Sequence, residues 1–262
     1  MSLFRNLSIG LGAVHNVVSF QQRVWQVILT ILCLLLLAPI MAIIVSAIGD
    51  TSGLLRHLTY TVLPTYVTTT LSLMFAVGLI ALLFGVTTAW IVSRYQFFGK
   101  RVIEWMLVLP AAIPAYIIAY CYTDFLEYAG PLQTGLRALF GWQSSRDYWF
   151  PEVRSFGGAA LMMASVLYPY VYLLARTAFR QTSRDLFEMT ALSGRNMFVY
   201  AALPLARPAI VAGLSLVLME VVSDFGTVEF FALETLTLGI FNVWLGMNNI
   251  TAAAQLAVFA FF

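Results

Sequence analysis

Charge is what this sequence has least of. Its 262 residues carry 14 Lys and Arg and 12 Asp and Glu, 10% in all, where a soluble domain has about 25%. So few charges cannot cover a folded surface. With 61% hydrophobic residues, 15% aromatic residues and a mean hydropathy of +0.88, the chain reads as an integral membrane protein. Lysine is scarcest. The phosphate-cradling pattern G-x-x-x-x-G-K-[ST] needs Ser or Thr after its lysine, and Gly99-Lys100 is followed by Arg101. That route to ATP is closed. Two cysteines, Cys33 and Cys121, both in apolar runs, exclude a disulfide framework and a thiolate zinc site. Two histidines, His15 and His57, are too few for a His-rich metal site. No Ser/His, paired-Asp or metal constellation falls inside a span. The reading is therefore a non-enzyme with no catalytic residue, metal ligand or cofactor, and no nucleic-acid partner.

What is present is long apolar runs. A helix needs about 20 apolar residues to cross ~30 Å of hydrocarbon. The 26 residues between Arg23 and Asp50 are uncharged and form span 1. Tyr66 to Val92 reads as span 2, 102–122 as span 3 and 156–174 as span 4. Span 5 begins at Pro208, a residue suited to a first helical turn, and reaches Val222. A sixth helix starts near Ile250. Residues 1–23 form an N-terminal segment and 24–262 the membrane domain. Basic residues favour the cytoplasmic side. With the N-terminus inside, the inner segments hold Arg5, Arg23, Arg94, Lys100, Arg101, Arg176, Arg180, Arg184, Arg195 and Arg207. The outer ones hold only Arg56, Arg137, Arg146 and Arg154. This distribution predicts a cytoplasmic N-terminus, an outer loop at 123–155 and a cytoplasmic loop at 176–207.

The cytoplasmic loop has structure written into it. Thr182-Ser-Arg-Asp185 matches a capping box. Leu186, Met189 and Leu192 follow at three-residue spacing as an apolar stripe. Gly194 sits where a helix C-terminus favours positive φ, and Pro204 and Pro208 mark re-entry into the membrane. Two readings are open: an amphipathic helix resting on lipid headgroups, or a docking element for a soluble partner.

Glu188-Met-Thr-Ala-Leu-Ser-Gly194, followed by Leu203-Pro204, resembles the EAA loop of permease subunits of ABC importers. Met189 and Thr190 stand for two alanines, and the interval from Gly194 to Pro204 is shorter than the family's. Leu203-Pro-Leu-Ala-Arg-Pro-Ala-Ile210, Met219-Glu-Val-Val-Ser-Asp-Phe-Gly-Thr-Val-Glu-Phe230 and Ala252-Ala-Ala-Gln-Leu256 resemble the ferric-iron branch. The resemblance runs from about residue 60 to the end. It implies an all-α, polytopic transmembrane helical bundle of the type I ABC importer permease (MetI-like) class, in a bacterial inner membrane. It implies that Glu188, Ala191, Gly194, Leu203 and Pro204 couple the chain to a dimeric ATP-binding subunit. It further implies a periplasmic substrate-binding protein and a second permease half. Thiamine, sulfate and polyamine importers share the architecture, so the substrate stays open. A secondary carrier or channel is the rival from another class.

Other residues carry weaker signals. Glu220 and Asp224 are four apart and share a helical face if the helix continues; they form a candidate substrate pathway, or are simply hydrogen-bonded or solvated. Glu104 follows Arg101 by three, predicting an exposed pair of little worth. Tyr116, Tyr120, Tyr122, Tyr168, Tyr170 and Tyr172 could ligate ferric ion or serve as packing and interface residues. Pro110 and Pro114 predict a kinked span 3, either a gating helix or an ordinary bend. Finally, a helix from Ile250 to Phe262 is too short to cross the hydrocarbon. That predicts a natural protein continuing beyond Phe262 into a second six-span half.

Overall fold

The computed structural model describes residues 2–51 and 53–261, with their side chains apart from those of residues 2–21, 184 and 261. The side chains of Arg5, His15 and Arg184, and Phe262 altogether, therefore lie outside the described residues. Every regular element described is helical. In chain order these are α1 (Ser2–Ser46), α2 (Leu54–Thr61), α3 (Leu63–Arg94), α4 (Lys100–Met106), α5 (Ala115–Leu126), α6 (Pro131–Phe140) and α7 (Phe156–Gln181). They continue with α8 (Arg184–Leu192), α9 (Leu203–Ser223), α10 (Gly226–Phe230), α11 (Leu236–Phe241) and α12 (Ile250–Phe261). A 3₁₀ turn spans Leu109–Ala112, and π-helical turns span Phe198–Ala202 and Asn242–Gly246. The chain divides into two compact units, residues 1–55 with 243–262, and residues 56–242.

In the first unit, α1 supplies an apolar span over Gln22–Ser46. The carbonyls of Ala47 and Gly49, just past its end, accept from the Gln255 amide of α12 at 3.0 and 3.1 Å. A helix end in a dry environment needs such partners.

The second unit is built on α3, α7 and α9. Leu73, Val77, Ala81 and Ala89 of α3 meet Ala164, Leu167, Val171 and Ala175 of α7, and Ala206, Val217 and Val221 of α9. Small residues set the spacing, as expected where lipid removes the hydrophobic incentive for helices to associate. A Cβ on Gly85 would fall 2.7 Å from Val171 Cβ, and one on Gly213 2.8 Å from Val171 Cα. Val171 is thus clasped from both sides by glycines.

Three boundaries differ from the sequence reading. Span 3 is not one helix: Lys100–Ala112 and Ala115–Phe140 meet at 102°. Pro114 forces Ile113 into an extended conformation, φ −114° and ψ 129°, because its ring excludes the α region for the preceding residue. Helix α7 runs seven residues beyond the expected Leu174, to Gln181, so the connection to α8 shrinks to Thr182 and Ser183. Pro204, not Pro208, occupies the first turn of α9. Pro208 lies inside the helix, where its missing N–H leaves one carbonyl unpaired near the helix start.

Candidate functional site

The end of the bundle bearing α8 is the best-defined candidate. Trp90 of α3 lies 5.5 Å from the Phe179 ring of α7, 5.1 Å from Phe198 and 6.1 Å from Phe187 of α8. Arg94 stacks over Phe187 at 5.6 Å. Phe187, with half-buried Leu186 and Thr190, is therefore the face that seats α8 on the bundle. The predicted stripe fails here: Met189 is 68% and Leu192 89% exposed. Three-residue spacing falls about 60° short of a full helical turn, so a stripe at 186, 189 and 192 walks off the packed face. The capping box is also absent. Ser183 occupies the N-cap with no side-chain bond, and the Thr182 hydroxyl donates backward to the Ala178 carbonyl at 3.1 Å. The cause is the longer α7, which claims Thr182 for its own last turn.

The other end of α8 matches its signal. Gly194 has φ +69°, its N–H reaches the Ala191 carbonyl at 3.0 Å, and the Arg195 N–H reaches Thr190 at 3.2 Å. This pair of bonds is a Schellman closure. Glu188 and Ala191 are exposed and line a cavity of about 360 Å³ with Arg94, Phe187 and Met197. Leu203 and Pro204 begin α9 beyond the π-helical turn, half-buried.

Glu104 was misread. Instead of an exposed pair with Arg101, it forms ion pairs with Arg176 and Arg180 of α7, the second at 2.8 Å, its side chain 17% exposed. The partners lie 72 and 76 residues away, and no local spacing announces them.

Glu220 and Asp224 do not share a helical face. Helix α9 stops at Ser223, and Asp224 turns extended, φ −66° and ψ 125°. Its carboxylate accepts from the N–H groups of Thr227 at 2.8 Å and Val228 at 3.2 Å, and from the Thr227 hydroxyl at 2.9 Å. Asp224 is committed to capping α10. Glu220 stands exposed on α9; its carbonyl accepts from the Asp224 N–H at 2.9 Å, while its carboxylate makes no hydrogen bond or ion pair among the described residues. Nearby, Tyr116 and Tyr120 of α5 line a cavity of about 660 Å³ with Ile117, Gly226, Glu229 and Phe230. Tyr172, by contrast, is wholly buried.

Beyond α5, residues 127–154 hold a group of polar contacts. Gln133 donates to the Leu126 carbonyl at 2.7 Å, and Arg137 lies 4.0 Å over the Tyr128 ring. Arg154 pairs with Glu127 at 2.5 Å. Asp147 accepts from the backbone N–H groups of Ser144 and Gln143, each at 2.8 Å. These two bonds hold its carboxyl below the usual carboxylate range.

Comparison with known proteins gives a consistent result. Residues 81–262 match the family described as binding-protein-dependent transport system inner membrane component. The Fe(3+)-transport system permease protein FbpB 2 of Haemophilus influenzae is 28% identical over 193 residues, covering 72% of this chain and 33% of that protein. The putative molybdenum transport system permease protein YvgM of Bacillus subtilis is 23% identical, over 59% of this chain and 66% of its own length. A probable sulfate transport system permease protein, cysT of Chlorokybus atmophyticus, is 27% identical over 79% of this chain and 71% of its own. This chain thus spans a third of the Haemophilus protein and about two thirds of the Bacillus one. Among solved structures, a chain of a bacterial alginate ABC transporter, crystallised with an alginate pentasaccharide-bound periplasmic protein, superposes with a TM-score of 0.70. It is 14% identical, with 90% of this chain and 87% of that one covered.

Proposed function

The chain belongs to the family of binding-protein-dependent transport system inner membrane components, and from that premise we propose that it lines the pathway of an ATP-driven importer for ferric iron. Its fold is the all-α, polytopic bundle of the type I ABC importer permeases. In this reading Glu188, Ala191 and Gly194 form the coupling face, and Leu203 and Pro204 fix the return of the chain into the membrane. The observation that carries the reading is the posture of α8. Its apolar anchor Phe187 is spent on Trp90, while Glu188 and Ala191 stand exposed at the cavity beside Arg94 and Leu192 is exposed beyond it. A short helix held this way presents a rigid face to a soluble ATP-binding subunit. ATP hydrolysis then belongs to that subunit, and a periplasmic binding protein delivers substrate at the opposite end. A second permease half completes the pathway. The arginine distribution supports a cytoplasmic α8 and N-terminus.

Charge supports a cation over the oxyanions handled by proteins named for sulfate or molybdenum transport. From Pro208 to Phe262 the sequence holds Glu220, Asp224, Glu229 and Glu234 and no Lys, Arg or His. A run of one sign raises the local concentration of the opposite one and repels its own. Similarity to the ferric-transport permease points the same way. The test is uptake by the complete transporter of ⁵⁵Fe(III), ³⁵S-sulfate and ⁹⁹Mo-molybdate, each presented on its own binding protein. ATP-dependent uptake of iron alone is expected. Uptake of either oxyanion without iron would reverse the assignment.

A further inference from the structure

The pairing of Glu104 with α7 gives α4 a task that neither the fold nor the family match assigns. Helix α4 is the near half of the bent span, separated from α5 by the Leu107–Pro114 break. Its outer faces are bare: Arg101, Val102, Trp105 and Met106 are all exposed. Among the described residues, the half-buried Glu104 carboxylate is what engages a neighbouring span from α4 in an ion pair. Its partners Arg176 and Arg180 are one turn apart on the last turns of α7. Just two residues later α8 begins, seated on the same helices through Phe187, Trp90 and Phe179. We propose that Glu104 is a positioning residue that clamps the near half of the bent span to the base of α8, so that α4 and α8 move as one body and the break at Leu107–Pro114 is the joint.

The chemistry of the cluster fits a clamp that holds one arrangement. Two guanidinium groups share one carboxylate, leaving a donor surplus. The Arg176 Nε and the Tyr172 hydroxyl beneath it are both buried without a hydrogen-bond partner, the Arg176 guanidinium lying 5.8 Å over the Tyr172 ring. The Pro114 break supplies the freedom of that joint, because Ile113 is already extended and Pro114 has no N–H to bond back into the preceding turn.

The inference rests on α8 being the docking helix, and the experiment keeps the two apart. Nitroxide labels go on Val102 of α4 and on Ser193 after α8, in a Cys33→Ala/Cys121→Ala background, in the complete transporter with its ATP-binding subunit. Distances are read by double electron–electron resonance without nucleotide and with ATP plus vanadate. The unaltered clamp should give one narrow distance in both states. Glu104→Ala should give a distance that shifts and broadens with nucleotide while the ATP-binding subunit still co-purifies. Glu104→Gln, which preserves shape and one acceptor, should fall between, and the swap Glu104→Arg/Arg180→Glu should restore the narrow distance. A nucleotide-independent distance in Glu104→Ala, or a shifting one in the intact clamp, would overturn the proposal. Failure of the ATP-binding subunit to co-purify with the intact chain would instead sink the docking reading.

Discussion

At the scale of single residues, two side chains that look alike in sequence divide sharply in structure. Glu220 and Asp224 are both carboxylates near the end of a span. Asp224 spends its two oxygens on the start of α10, whereas the Glu220 carboxylate remains unengaged on α9. Asp224→Ala should therefore behave as a lost helix cap, costing roughly 0.5–2 kcal/mol in thermal unfolding of the detergent-solubilised protein. Glu220→Gln should leave the unfolding temperature unchanged and lower cation uptake. Asp147 gives a pH-dependent case. Two backbone N–H bonds lower its pKa, so they help order residues 143–147 above the ordinary carboxylate range. That help fades as pH falls through the lowered value. The amide resonances of Gln143 and Ser144 should titrate in that acidic window and stop doing so in Asp147→Asn; persistence of the titration would assign it to another group.

At the scale of elements, packing constraints and surface faces make separate claims. A Cβ at Gly213 meets the backbone of Val171 and Tyr170 at 2.8 and 3.1 Å, atoms that cannot swing aside. Gly213→Ala should cost about 1–3 kcal/mol of stability through overpacking, while Gly135→Ala, with nothing within 4 Å, should cost none. Helix α8 poses the question of what covers Met189 and Leu192. A nitroxide at Leu192 should be reached by a water-soluble relaxation agent in the free chain and shielded when the ATP-binding subunit binds. Shielding by lipid in the free chain would favour the headgroup-resting alternative. Sequence made some elements plain and hid others for one physical reason. Long spans and the Gly194 turn are local: apolar length and positive φ are properties of a few adjacent residues. The clamp on Glu104 and the seat of α8 on Trp90 arise from contacts between distant segments, which local spacing misassigned; Thr182 was lost to the capping box because α7 runs on to claim it. The prolines of span 3 sit between these cases. They predicted a kink, but not its size of 102°, which local spacing does not encode.

At the scale of the whole molecule, the family match and the helical bundle establish a membrane-embedded transport component, and orientation and coupling follow as proposals. Orientation rests on ten basic residues against four. In the background lacking the exposed Cys33 and Cys121, a cysteine at Ser145 should react with an impermeant maleimide on intact spheroplasts and one at Ser193 should not. The inverse pattern would turn the molecule over. The coupling face rests on α8 and its closing turn. A side chain at Gly194 would meet no neighbour, so Gly194→Val acts through backbone strain alone, about 1–2 kcal/mol for a non-glycine residue in the left-handed region. That is enough to open the turn without harming the bundle. Glu188→Lys reverses an exposed charge on that face. The decisive measurement is recovery of the ATP-binding subunit on the purified membrane chain, wild type against Gly194→Val and Glu188→Lys, at matched membrane insertion. The account requires several-fold loss of the subunit in both variants with an unchanged bundle. Equal recovery from all three chains would contradict it.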